Sequence, residues 1–360
     1  MRILFVQPSI PIYRVPFFLY LASEFEPFFC VLHSEGDLGN LTPSLQYTWS
    51  KCIGKVIKIG FGCLWQNNLL RYKIQKDDIV IISGNPRYIS SIIFILKVRI
   101  LGGKIVWWSH YRSSTSKKWR MKLRLRLMKM ANGIMFYTQD EVDEYLSTIK
   151  QKEDRSIVGL NNGIDMIPIK PHRKKYDADL RRREILFLGR ISEKANFTIL
   201  LEALKHPNLI NVTLNVIGND DRYSFLNGDQ STVFNASKIN WYGKLTDEQE
   251  ISNIANRCRI FIYPGAVGLS LIHAMAYGLP CLLHSDRLKH MPEIAAFKTG
   301  ITGLTFHPSD AEDLAVKLST MISNTNALNT MSENCLKAVE NEFNTSRMAQ
   351  KFIKFIKELK

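Results

Sequence analysis

No run of about 18 apolar residues, the minimum for a transmembrane helix, occurs in the chain. The nearest approach, Ile89 to Leu101, is broken by Lys97 and Arg99. Six cysteines are present but scattered, with no Cys-x-x-Cys pair. That excludes a disulfide framework or zinc site and points to a reducing compartment. Met1-Arg2 leads directly into a strand-like run, Ile3 to Val6, too short for a signal peptide. A cytoplasmic protein is therefore expected. Low-complexity segments and repeats of solenoid period are missing. No RNP, helix-turn-helix or finger signature is present, so nucleic acid is not expected as a partner. Acids are scarce in one region: between Leu38 and Gln139 there are 18 Lys or Arg against two acids, Asp77 and Asp78. The formal net charge of the whole chain is +15, so the remainder is close to neutral. Charge confined in this way implies an anionic partner on one face.

What is there is a long alternation. With 360 residues, 46% of them hydrophobic, the chain is large enough for two domains. In the first half, strands are predicted at Ile3 to Gln7, Phe28 to His33, Asp78 to Ser83, Lys104 to Ser109, Gly133 to Tyr137 and Arg155 to Val158. Shorter strands are expected near Tyr47 and at Lys55 to Ile59. Helices are predicted at Tyr13 to Phe25, Leu64 to Ile74, Tyr88 to Leu101, Ser116 to Met130 and, capped by Thr138, up to Ile149. A second alternation runs from Glu184 to about Phe306, and three helical stretches finish the chain. Such alternation means parallel sheets with helices on both faces. The division predicted is a Rossmann-like domain over 1–165, a basic, proline-containing linker over 166–183, a second Rossmann-like domain over 184–343, and a last helix over 344–360.

The stretch most charged with chemistry is Ile260 to His284, IFIYPGAVGLSLIHAMAYGLPCLLH. Arg259 to Tyr263 reads as a buried parallel strand ended by Pro264-Gly265. Val267 to Tyr277 reads as a buried helix closed by Gly278 and Pro280. Its one polar stripe is Ser270, His273 and Tyr277, at i, i+3 and i+7. A helix that starts from a glycine turn at a sheet end presents unpaired amides and the positive dipole end to an anion. A phosphate at the helix start, with a hydroxyl-rich group along the stripe, is the natural ligand.

The block Pro264 to Pro280 resembles the donor-binding signature of the family 4 retaining glycosyltransferases, two-lobed enzymes of the GT-B fold. In that family two glutamates with seven residues between them meet the donor sugar and the ribose; here the two positions hold Gly265 and His273. Ile185 to Lys194 resembles the family's strand–Gly-Arg–x3–Lys block, with Gly189, Arg190 and Lys194 in the matching places, although Ala195 stands where glycine is usual. Asn162 to Asp165 is similar to the Asn-Gly-Val-Asp turn that closes the first domain, and Pro292-Glu293-Ile294 to a Pro-Glu-Ile segment before the final strand. His110, directly after the strand KIVWWS, matches a histidine near the donor sugar's outer hydroxyls.

The resemblance implies a GT-B fold, two Rossmann-like domains facing across a cleft, with the last helix crossing back to the first domain. It implies sugar transfer from a nucleoside diphosphate (UDP or GDP) with retained configuration, no metal and no cofactor. His110, Arg190 and Lys194 would be catalytic. Gly189, Lys244, Leu245, Gly265, Val267, Gly268, Leu269, His273 and Glu293 would bind the donor, with Asn219 as a further base contact. Tyr13 and Arg14 would face the acceptor. The segment Lys117 to Met130 carries two apolar faces, Trp119-Leu123-Leu127-Met130 and Met121-Leu125-Met128, with basic residues between. The second face suggests a helix at an anionic membrane surface. The acceptor implied is a lipid-linked glycan of bacterial surface polysaccharide synthesis, reached from the inner face of the plasma membrane. The alternative is a non-catalytic nucleotide-sugar or lipid-binding protein with a degenerate site.

Overall fold

The computed structural model describes residues 1–35, 46–111, 118–149, 152–218, 230–234 and 237–359. Two units, each with its own sheet, make up the chain: Met1–Asn161 with Thr345–Lys360, and Asn162–Asn344.

In chain order the first unit contains β1 (Ile3–Val6), α1 (Val15–Phe25), β2 (Phe29–Glu35), β3 (Ser50–Lys58), β4 (Leu64–Gln66), β5 (Ile79–Ser83), α2 (Ile89–Ile100), β6 (Lys104–Trp108), α3 (Lys118–Met128), β7 (Gly133–Phe136), α4 (Gln139–Thr148) and β8 (Ser156–Gly159). The strand order is β4-β3-β2-β1-β5-β6-β7-β8, parallel except for β4. The short, wholly apolar strands are explained by burial on both faces. Along β1, Ile3 and Phe5 enter one core while Leu4 and Val6 enter the other, and Ile79/Ile81 and Val80/Ile82 of β5 divide the same way.

The second unit contains β9 (Glu184–Leu188), α5 (Phe197–Ala203), β10 (Thr213–Ile217), β11 (Gln230–Phe234), β12 (Ser237–Trp241), α6 (Glu248–Ala255), β13 (Ile260–Tyr263), α7 (Leu269–Ala276), β14 (Cys281–His284), β15 (Gly303–Phe306), α8 (Ala311–Ser323) and α9 (Thr325–Asn341). Its order is β11-β12-β10-β9-β13-β14-β15, with only β11 antiparallel among the described strands. The last helix, α10 (Thr345–Lys357), returns to the first unit and buries Met348, Phe352, Phe355 and Ile356 there. Phe352 stacks on Phe5 with ring centroids 5.2 Å apart.

Three sequence expectations are corrected. Leu64 to Ile74 is not a helix: Leu64–Gln66 pairs with β3, Asn68 takes a left-handed backbone, and only Leu69–Arg71 makes a 3-10 turn. The polar stretch Gln66-Asn67-Asn68 divides the segment, and its turn lets the first three residues join the sheet edge instead of a helix. Residues 166–183 lie inside the second unit, with Met166, Ile169, Tyr176 and Ala178 in its core. On α3 the second apolar face is not free: Met121 and Leu125 pack against the same core that holds Leu127 and Met128, leaving Leu123 exposed at 36%. Lys117 and Asn219 lie outside the described residues. No described helix is long and apolar enough to cross a membrane.

Candidate active site

In an open parallel sheet the crevice for a ligand lies beyond the strand C-termini, where the connections leave in opposite directions. In the second unit that point falls between β9 and β13, since β10 follows β9 on one side while β13 and β14 continue on the other. Gly189 ends β9 at φ +141°, a backbone region that favours glycine. Its amide bonds the Ile217 carbonyl at 2.9 Å, and the Gly218 amide bonds the Gly243 carbonyl at 2.7 Å. A Cβ at Gly218 would collide with the Gly189 carbonyl. The loops after β9, β10 and β12 are thus locked together, which places Lys244 and Leu245 beside the Gly189 turn. Leu245 packs on the core, while Lys244 is exposed.

Gly265 is required by close approach. A Cβ there would run into the Lys194 carbonyl oxygen and the Ala195 backbone, and the Ala266 amide donates to Lys194 at 2.8 Å. The absence of the family's glutamate at this position therefore follows from how tightly the Lys194 turn is seated. The side chains of Arg190 and Lys194 are exposed and have no partner among the described residues. The amides of Gly268, Leu269 and Ser270 at the start of α7 likewise lack an acceptor among them. Val267 does not belong to this set. Its amide donates to His290 Nδ1 at 3.2 Å, so the phosphate-facing role expected of it is corrected: it is a fixed structural hydrogen bond.

His290 is itself pinned. Its Nε2 lies 2.9 Å from the His284 carbonyl, and the two imidazoles stack at 3.8 Å. Burial disfavours the charged form and pushes the His290 pKa down to about 4, so the ring is neutral and Nδ1 accepts. Glu293 is 5% exposed, accepts from the Asn162 amide, and sits near the α7 start, with Oε2 3.8 Å from where a Gly268 Cβ would stand.

The polar stripe on α7 has a partner that sequence reasoning missed. His273 Nε2 lies 3.0 Å from the Glu248 carboxylate, and the buried Tyr277 hydroxyl donates to it at 2.7 Å. Burial opposes ionisation of Glu248, but these two donors and the histidine's field outweigh it and hold its pKa below the ordinary value. A carboxylate absent from α7 is thus supplied by the first turn of α6. The signal in the sequence was the acidic start of that helix, Asp247-Glu248.

In the first unit His110 follows β6. It stacks on Tyr137 at 4.2 Å, and its Nδ1 lies 3.5 Å from Glu141, the carboxylate of the Thr138 capping box. A cavity of about 660 Å³ opens beside it, lined by His110, Arg124, Arg87, Trp108, Tyr137 and Leu123 among others. Tyr13 is 41% exposed, but Arg14 is buried at 4%. The Arg14 guanidinium lies 5.0 Å from the Trp108 ring and 5.8 Å from the Tyr137 ring and donates to Met348 Sδ. The expected acceptor contact from Arg14 is therefore corrected: its charge is held by aromatic faces inside the unit. Among the described residues, no group of three or more His, Cys, Asp or Glu side chains is arranged to hold a metal.

Residues 168–338 match the family Glycosyl transferases group 1. An uncharacterized protein of the Klebsiella pneumoniae cps region is 23% identical over 255 residues, 67% of each chain. A probable sucrose-phosphate synthase of Oryza sativa subsp. japonica is 31% identical over 160 residues, covering 39% of this chain but 15% of that protein. Among solved structures, Anabaena Alr3699/HepE in complex with UDP and glucose aligns over 100% of both chains with a TM-score of 0.65 and 14% identity. A glycosyltransferase from Rickettsia africae aligns over 99% of this chain and 98% of that one, with a TM-score of 0.71 and 17% identity.

Proposed function

We propose that the chain, whose residues 168–338 match the glycosyl transferases group 1 family, moves a sugar from a nucleoside diphosphate to a lipid-linked glycan acceptor with retained configuration. The observation that carries this reading is the β9–β13 switch point. There Arg190, Lys194 and the open amides of Gly268, Leu269 and Ser270 belong to one interlocked set of turns. A leaving diphosphate gains negative charge as the bond from the anomeric carbon to its oxygen breaks. Fixed cations and amides stabilise that charge most in the transition state. The acceptor hydroxyl oxygen forms the new bond on the same face of the sugar, and its proton passes to the departing phosphate oxygen. Lys244 and Leu245 lie along the base, and the Glu248–His273 pair along the ribose. Glu293 and the catalytic His110 serve the donor sugar, and Tyr13 belongs to the acceptor side.

HepE has been solved with UDP and with UDP-glucose, which makes uridine donors the first to try. The cps-region relative supports a surface polysaccharide as the product class. For the membrane, support comes from the basic first unit and from α2. Its exposed Ile93, Leu96 and Ile100 recur at i, i+3 and i+7, a stripe suited to an interfacial helix. The test is incubation of purified protein with radiolabelled UDP- and GDP-sugars and membrane extract. Label transferred to lipid is the expected result. Donor binding without transfer would instead favour the non-catalytic reading.

A further inference from the structure

The second sheet has an unusual patch at the opposite end from the switch point. On the face towards α5, the row through β9, β10 and β12 is apolar: Ile185, Leu214 and Ile239 are buried, and Trp241 packs on Phe197. The other face differs. Register places Glu184, Thr213 and Lys238 in one row and Asn215 and Asn240 in the next. A parallel sheet covered on both faces calls for apolar residues in such rows. Here they are polar, and all but the buried Asn215 line an open cavity of about 480 Å³.

Four cations converge on this cavity, Arg182, Arg183, Lys238 and Arg257, against a single carboxylate, Glu184. That carboxylate is buried and already committed. It accepts from Arg257 Nε at 3.1 Å and from Asn215 Nδ2 at 2.8 Å, and Arg182 stands 3.6 Å away. Arg257 is committed too, since its Nη2 also donates to the Tyr242 hydroxyl at 2.9 Å. Arg183 and Lys238 are exposed and have no partner among the described residues. Fixed polar groups form the floor, and two free cations stand at the rim.

We infer that this cavity is a second, separate anion site that binds the phosphate of a small phosphorylated molecule. Arg183 and Lys238 meet the phosphate charge, and Asn240 and Thr213 face the group that carries it. Two cations with no carboxylate left to neutralise them match the charge of a phosphomonoester. The five steps from Glu184 to Gly189 at the strand rise put this site roughly 16 Å from the switch point, so one diphosphate cannot occupy both. The inference goes beyond the proposed transfer reaction and does not rest on it.

The experiment is calorimetric titration of the full chain with inorganic phosphate, with a hexose phosphate and with UDP. Two classes of event are expected. UDP binding should be weakened by Arg190→Ala with Lys194→Ala and unchanged by Arg183→Ala with Lys238→Ala. Hexose phosphate binding should show the reverse pattern, weakened about tenfold or more by loss of the charged hydrogen bonds. Lys238→Arg should retain it, and raised salt should weaken it. Both side chains are exposed, so the substitutions leave the fold intact. If phosphate and hexose phosphate bind only where the Arg190 and Lys194 changes abolish binding, or do not bind, the second site is refuted.

Discussion

Each unit sets its first strand beside one from later in the chain, β1 against β5 and β9 against β13, yet the two switch points are built from different material. After β9 and β13 the chain turns on glycine, at Gly189, Gly265 and Gly268; the amides of Gly268, Leu269 and Ser270 lack an acceptor among the described residues, and the two cations, Arg190 and Lys194, are open. After β1 the loop carries Pro8 and Pro11, and the cation that follows, Arg14, is buried among aromatic rings. Backbone amides and free cations recognise a phosphate of any nucleotide. The first unit instead offers aromatic faces with a half-exposed histidine, His110 stacked on Tyr137. One sheet plan thus gives two chemistries, decided by a handful of loop residues.

The sharpest break of this contrast is removal of the open cations. Arg190→Ala and Lys194→Ala should each lower turnover by about 2–4 kcal/mol of transition-state stabilisation while leaving acceptor affinity unchanged. Steady-state kinetics with both substrates varied would show this. A raised acceptor KM at constant kcat would assign the two residues elsewhere.

The second test asks whether the glycine loop depends on its neutral histidine. His290 is held near 4 in the folded protein, against an unfolded value near 6.5. The folded pKa is depressed for a base, so the unfolded chain binds more protons between these values. The contribution is fully present above about pH 6.5 and is lost as pH falls towards 4, amounting to about 3 kcal/mol. Chemical denaturation across that range should show the slope. His290→Asn, whose side-chain oxygen can still accept from Val267, should reduce it, the remaining slope coming from His284, which burial also depresses, and at the acid end from carboxylates held low such as Glu248. An unchanged slope would show that the histidine is not the titrating group.

Close approach makes the third. Gly265→Ala should cost about 1–3 kcal/mol of stability, because the new Cβ meets backbone at Lys194 and Ala195 that has no room to yield. The equivalent change in the first unit, at an exposed position such as Tyr13, should cost little. A neutral Gly265→Ala in thermal denaturation would mean the Lys194 turn is not seated there.

Most of the architecture was legible because wholly apolar runs of four or five residues, separated by breakers, have few readings other than buried parallel strands. Leu64 to Ile74 failed because the turn residues Asn67-Asn68 were passed over, and they divide the segment into an edge strand and a 3-10 turn. The glycine turns and the Gly-Arg–x3–Lys spacing were visible, since both are local in the sequence. The His290–Val267 bond, the burial of Arg14 and the Glu248–His273 pair were not. Each joins residues distant in sequence, and no periodicity announces such a contact. Arg14 shows this plainly: a loop arginine reads as an exposed charge until Trp108 and Met348 are seen around it.

The smallest expected effect concerns the stripe on α7. His273 stands where the family has a ribose-contacting glutamate, and the structure supplies a carboxylate beside it from Glu248. His273→Ala removes one donor from that carboxylate, leaves the Tyr277 hydroxyl in place, and should weaken donor binding by about 1 kcal/mol. His273→Glu would restore the family residue yet set a second carboxylate against Glu248, so it should bind donor less well than the alanine variant. The two variants also separate by pH. Glu248 has a folded pKa below its unfolded value of 4.5, so its contribution to stability is present above that value and is lost as pH falls through the folded one. The stability gap between wild type and His273→Ala should therefore close in acid, while the deficit of His273→Glu should shrink as one of the paired carboxylates takes a proton. Calorimetry with UDP at neutral pH, and denaturation between pH 3 and 7, read both. If the glutamate variant binds as well as wild type, Glu248 is not the carboxylate that serves the donor.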